Sequence, residues 1–228
     1  MKEKDNNLYF KKLEIPVTYK LIENGDAGFT AKIYRYSDKE LLKIFKYKLD
    51  ENHSFKFDIL SKINTEYFAF PNKKVYIGNK LKGYSVYYKD GILLDDLEDI
   101  NINNLLKSIL KLNNDFLELA EKHIRVIDLH NKNILYNEIN NDINIIDTSE
   151  YVFSPKMHSS DLYKFNCRSL IYNICVLLNV DINEFDYNNT TSIYKFCDLL
   201  KEKINKLEYE NNKDIIRLKE LKLIKKNK

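Results

Sequence analysis

Four scarcities each close off a class of function for this chain. No run of about 18 apolar residues occurs, so no membrane-spanning helix is expected and no membrane partner is implied. The opening residues Met1–Asn7 are charged and polar, without the apolar stretch of a signal peptide, and a cytoplasmic location is the expectation. Cys167, Cys175 and Cys197 are an odd number, widely spaced, with no Cys-x-x-Cys pair. That pattern argues against a disulfide framework or a zinc cluster and for buried apolar thiols. Charge of one sign is not in excess. A formal net charge of +3 is too small to demand nucleic acid, and the basic end, Lys222 to Lys228, suits the C-terminus of a solvated helix.

What is present belongs to an ordinary globular protein: 44% hydrophobic and 31% charged residues in 228, enough for one large core or two smaller lobes. Up to residue 90 the chain reads as short β-rich stretches with one helix. Val17–Ile22, Thr30–Arg35 and Glu40–Phe45 are separated by turn residues at Gly25, Gly28 and Ser37–Lys39, giving a three-stranded meander. Asn52 to Ile63 places Phe55, Ile59, Leu60 and Ile63 at helical spacing, with Asn52 or Ser54 as cap. Val75–Ile77 and Leu81–Tyr88 flank Gly78-Asn79-Lys80 as a hairpin, so five strands are expected in this part.

After Lys89-Asp90-Gly91 the pattern changes to long amphipathic helices. We therefore place a boundary there, between a smaller β-rich lobe, 1–90, and a helical lobe, 91–228. Residues 101 to 122 form one helix, 161 to 179 a second and 191 to 207 a third, with a fourth predicted from Lys213 to Ile224. Between the first two, Ile134–Tyr136 and Asn144–Ile146 form a second hairpin around the polar turn Asn137–Asp142, which puts Asn133 and Asp147 at neighbouring strand ends. The many tyrosines read as core residues and hairpin pairs, not as a surface for stacking bases.

The chemistry gathers in Arg125-Val-Ile-Asp128-Leu-His130-Asn-Lys-Asn133-Ile-Leu135 and in Ile145-Ile-Asp147. Asn133 follows Asp128 by five positions and Asp147 follows it by nineteen, each beside apolar residues that anchor it. A single Asp in a polar turn more often satisfies backbone donors. The three together supply what phosphoryl transfer requires: oxygen ligands for a hard cation and a carboxylate to orient a hydroxyl and take its proton. Lys43, alone, would be a solvated strand lysine; His130 has no metal-ligand spacing with His53, His123 or His158 and suits hydrogen bonding within the loop or to phosphate.

At these residues the chain resembles the protein kinase superfamily. Asp128-Leu-His-Asn-Lys-Asn133-Ile-Leu is similar to its catalytic loop and Ile145-Ile-Asp147 to its metal-binding Asp. The order of elements is similar over nearly the whole chain, while the specific motifs cover about 25 residues. The resemblance implies an α+β, bilobal protein-kinase-like fold that binds Mg-ATP, with ATP and Mg2+ as cofactors and a protein or small-molecule hydroxyl as acceptor. It implies Asp128 as catalytic base, Asn133 and Asp147 as magnesium ligands and Lys43 as the strand lysine on the α- and β-phosphates. Asn24-Gly25-Asp-Ala-Gly28-Phe29 resembles the glycine-rich loop. Asp58 on the predicted helix, ahead of Glu51, is the preferred acidic partner of Lys43. Asp161 resembles the Asp that braces the catalytic loop, and a plain helix N-cap accounts for it equally well.

The departures from that family also carry meaning. A third loop glycine is absent, and Val126-Ile127 replaces the usual His-Arg, which removes the anchor of an activation-loop phosphate. Asp-Leu-His130 is commoner in small-molecule kinases resembling the aminoglycoside and choline phosphotransferases. Asp147-Thr148-Ser149 replaces Asp-Phe-Gly, and only fourteen positions separate Asp147 from Asp161, an abbreviated peptide platform. The expectation is a protein Ser/Thr kinase-like phosphotransferase; a small-molecule kinase and a nucleotide-binding pseudokinase are the alternatives.

Overall fold

Local signals set most of the elements of the first half. A computed structural model of the chain describes residues 8–10, 30–181, 192–206 and 215–217. It is an α+β fold that divides into two compact units: residues 1–64, 69–89 and 147–149 form one, and residues 65–68, 90–146 and 150–228 the other. No described helix is long and apolar enough to cross a membrane.

The first unit is a five-stranded sheet with one helix: β1 (Leu8–Phe10), β2 (Ala31–Arg35), β3 (Glu40–Phe45), α1 (Glu51–Leu60), β4 (Pro71–Ile77) and β5 (Lys80–Tyr87). The spatial order is β1-β4-β5-β3-β2, antiparallel except for β1, which runs parallel to β4. The expected strand Val17–Ile22 and the glycine turn with Gly25 and Gly28 lie outside the described residues. The β4–β5 turn passes through Gly78 at φ +58°, a left-handed position that a glycine adopts without a Cβ penalty. Gly83 on β5 is required for a different reason: a Cβ there would stand 1.8 Å from the Lys43 carbonyl oxygen on β3.

Two expectations about α1 are corrected. Its cap is Asp50, whose side chain accepts from the His53 backbone N–H while the His53 ring reaches back, a capping-box arrangement; neither Asn52 nor Ser54 caps it. Its buried face carries Phe57 and Leu60, while Phe55 is 64% exposed. The aromatic cluster decides that rotation: Phe57 stacks on Phe45 with centroids 6.1 Å apart and meets Tyr84 edge-on at 4.9 Å, burying more ring surface than Phe55 finds.

The second unit holds β6 (Ile92–Leu93), β7 (Asp99–Asn101), α2 (Ile102–Glu121), β8 (Ile124–Arg125), β9 (Ile134–Asn137), β10 (Asp142–Ile145), β11 (Val152–Phe153), α3 (Ser159–Leu177), α4 (Ile193–Lys206) and β12 (Ile215–Arg217). The α2 helix is the central buried rod. Asn101 caps it by accepting from the Asn104 N–H, and Leu105, Ile109, Leu112, Phe116 and Leu119 recur at three- and four-residue steps and are fully buried. At roughly 1.5–3 kcal/mol for each large apolar side chain, that stripe is a main stabiliser of the unit. Asp115 on the same helix accepts from the backbone N–H groups of Glu66 and Tyr67, tying residues 65–68 to it. The β9–β10 hairpin forms as expected, with β6 on its outer side.

The α3 helix starts two residues before the expected Asp161. His158 is its N-cap residue and Asp161 lies in the first turn, 3.8 Å from Lys164, so Asp161 is not the cap. The helix expected from Lys213 to Ile224 is also corrected where it is described: Ile215–Arg217 is a strand paired antiparallel with β7. An isoleucine pair followed by a charged residue fits either period, and an unsatisfied strand edge at Asp99–Asn101 selects the extended form.

Candidate active site

In the first unit the site is built on β3. Lys43 projects from the middle of that strand and is only 6% exposed, so it is not a solvated strand lysine. A buried ammonium needs acceptors. It finds the Asp147 carboxylate, 104 positions away in sequence, and the Ser149 hydroxyl at 3.1 Å. Ser149 in turn donates to Asp147 Oδ1 at 3.0 Å. The Thr148 hydroxyl donates to the Ala69 carbonyl at 2.9 Å in a fully buried bond, which fixes residues 147–149 against the chain entering β4.

The preferred acidic partner from the sequence, Asp58, does not meet Lys43. It takes Lys74 of β4 at 2.6 Å, and Lys74 also donates to Ser54 at 2.7 Å. The physical reason is proximity along α1 and β4: Lys74 reaches both helix groups at once, whereas Lys43 is already neutralised by Asp147.

In the second unit Asp128, His130 and Asn133 share one short segment. The loop follows β8, and residues 131–133 form a single 3-10 turn leading into β9. Both amide hydrogens of Asn133 are used, one to the Asp128 carbonyl at 2.9 Å and one toward His130 Nε2 at 3.1 Å. That leaves Asn133 Oδ1 as the atom available to a cation. The His130 ring also lies 3.8 Å from the Asp128 carboxylate, so it braces the loop internally, one of the two roles its sequence position suggested. Asp128 itself is half exposed. The Ile146 N–H donates to the Asn133 carbonyl at 2.9 Å, pairing the two strand ends at the residue that immediately precedes Asp147.

Backbone conformation singles out two of these residues. Among the described residues five non-glycines have positive φ: His123, Asp128, Asn141, Asp147 and Asn179. His123 and Asn179 follow the caps of α2 and α3, and Asn141 is in the β9–β10 turn; left-handed residues are common at such places. The remaining two, both at φ 57°, are Asp128 and Asp147. Asp tolerates that region better than most residues, and strained positions gather where a side chain must be aimed.

Two residues that hold the segment around Asp128 were not singled out from the sequence. That segment is tied to the long helix not by Asp161 but by asparagines of α3. Asn166, completely buried, accepts from the Val126 N–H at 2.8 Å and donates to the Ile124 carbonyl at 2.9 Å. Asn173 donates to the Leu129 carbonyl at 2.8 Å. The two clamps flank Asp128 in sequence. Their only signal was a polar residue on the apolar face of a helix, seven positions from its like, which does not reveal a partner.

No protein-family model and no curated protein matches the chain. Among solved structures it is similar to the PK-1 kinase of the Cydia pomonella granulovirus, with a TM-score of 0.46 and 20% identity over 59% of this chain and 55% of that one. The match thus spans little more than half of that protein, and the functional reading rests on the residues themselves.

Proposed function

We propose that the chain is an ATP-dependent phosphotransferase that moves the γ-phosphate of Mg-ATP to a hydroxyl, with a protein Ser/Thr hydroxyl as the acceptor. The observation that carries this reading is the buried Lys43 on β3, held by Asp147 from 104 positions away. A buried ammonium is costly unless it is paired or used, and a strand lysine beside an exposed carboxylate suits the phosphates of a nucleotide.

Asp147 Oδ2 and Asn133 Oδ1 would each offer the kind of oxygen donor that Mg2+ takes, one or two from protein with the rest from phosphate and water. When bound, the ion neutralises the phosphate charge. The ammonium of Lys43 would hold the α- and β-phosphates. The Asp128 carboxylate orients the acceptor hydroxyl and receives its proton as the new O–P bond forms and the bond from the γ-phosphorus to its bridging oxygen breaks, releasing ADP.

A small-molecule acceptor is the second reading, favoured by His130 beside Asp128 and by the short stretch from Asp147 to α3, which holds only a 3-10 turn and two-residue β11. Transfer of labelled phosphate from ATP, assayed with a generic protein and with a metabolite pool, distinguishes the two. Asp128→Asn is expected to abolish transfer while leaving Mg-ATP binding nearly intact; equal turnover in variant and parent refutes the base. A parent that binds Mg-ATP but labels neither acceptor nor itself is a nucleotide-binding module.

A further inference from the structure

We infer that Ser149 is a positioning residue that keeps one oxygen of Asp147 free for the cation while sharing the charge of Lys43. This rests on the phosphotransferase reading. The helix acid that would ordinarily be sought as the partner of Lys43 is absent from this group, because Asp58 is taken by Lys74. Among the described residues Lys43 therefore takes its acceptors from residues 147–149.

The hydrogen-bond directions in that group are determined by chemistry. An ammonium only donates, so the Ser149 oxygen accepts from Lys43 and its one proton goes to Asp147 Oδ1. Lys43 donates to the same Oδ1. Both donors converge on one carboxylate oxygen, and Oδ2 has no partner among the described residues, on a side chain that is 41% exposed. Without the hydroxyl, a half-exposed carboxylate next to a buried ammonium gains by turning both oxygens toward it, which removes the cation ligand. Ser149 opposes that rotation and leaves Lys43 a second acceptor when Asp147 is drawn toward a metal. The residue is 4% exposed and its place is set by the 3-10 turn 148–150 and by the Thr148 bond to Ala69, so its hydroxyl is preorganised.

The test is binding of a ribose-labelled fluorescent ATP analogue to the full chain, with saturating Mg2+ and with EDTA, for the parent, Ser149→Ala and Ser149→Thr. In Ser149→Ala the Mg2+-dependent gain in affinity is expected to fall about tenfold, the loss of one hydrogen bond to a charged group, while metal-free affinity changes less than about twofold. Ser149→Thr, which keeps the hydroxyl, restores the gain. Unliganded melting of Ser149→Ala stays within about 4 °C of the parent, as for a loss of no more than about 1 kcal/mol. A fall of metal-free and metal-dependent binding together, or a Ser149→Ala protein with the full Mg2+ gain, overturns the inference alone. A parent whose nucleotide binding shows no Mg2+ gain overturns the phosphotransferase reading as well.

Discussion

Replacing Asn166 with leucine should loosen the segment around Asp128 from a distance, and the size of the effect can be worked out from two bonds. Leucine has the same branching and the same number of side-chain heavy atoms, so the main loss is polar. The Val126 N–H and the Ile124 carbonyl, both on fully buried residues, lose their partners at 2.8 and 2.9 Å. Each orphaned buried backbone group costs about 1–3 kcal/mol, so a total of about 2–5 kcal/mol is expected after local relaxation. That is a large share of a typical total stability of about 5–15 kcal/mol, and the variant should fold but melt early.

Urea unfolding is the assay, with a lowered midpoint and an unchanged slope. Because Val126 is two residues before Asp128, kcat should fall in the same variant while the affinity for Mg-ATP holds. Asn166→Asp makes the control: it keeps the acceptor for Val126 but faces the Ile124 carbonyl with a carboxylate. Burial raises the carboxyl pKa of that variant, and the protonated form can donate as the amide did. The contribution of that carboxyl to stability is therefore complete below the unfolded value of about 3.9 and is lost as pH rises through the raised folded value. A loss below about 0.5 kcal/mol in Asn166→Leu, the size of an ordinary surface change, would refute the clamp.

Asp147→Asn should remove most of the stabilisation that Mg-ATP confers in a thermal-shift titration, and an unchanged ATP-dependent shift would count against metal ligation. Asp58→Asn breaks only its pair with Lys74, so a cost of no more than about 1 kcal/mol and normal Mg-ATP binding are expected; a binding defect as large as that of Lys43→Met would restore Asp58 as the partner of Lys43. Burial pushes the thiols of Cys167 and Cys197 up to about 12 from 9.0. The native protein should resist iodoacetamide at pH 8.5, and since the unfolded thiols ionise first, stability is complete below pH 9 and declines as pH rises from there toward 12. Rapid alkylation of the native chain at either cysteine would contradict that burial.

Short-range pattern settled the helices α1 to α4 approximately, the pairing of β2 with β3, β4 with β5 and β9 with β10, and the sites of Asp128, Asn133, Asp147 and Lys43 along the chain. Those features depend on a period of 2 or 3.6 residues or on a turn of a few positions, and both are written locally. Ends were less legible: the choice of Asp50 over Asn52 as cap and of Phe57 over Phe55 as the buried ring depends on what the helix packs against. Ile215–Arg217 became a strand because β7 offered it an edge.

The partnerships were legible nowhere in the sequence. The sequence offered Lys43 two acids, Asp58 and Glu51, and only the folded chain, by pinning Thr148 to Ala69, delivers Asp147 and Ser149 to it while Lys74 takes Asp58. In the same way two asparagines on α3 look like interruptions of an apolar face until Ile124, Val126 and Leu129 are laid against them. Residue type and spacing determined which polar groups this protein carries at these positions. Burial decided how they are paired, because a polar group removed from water must take whichever partner the tertiary structure brings within hydrogen-bond distance.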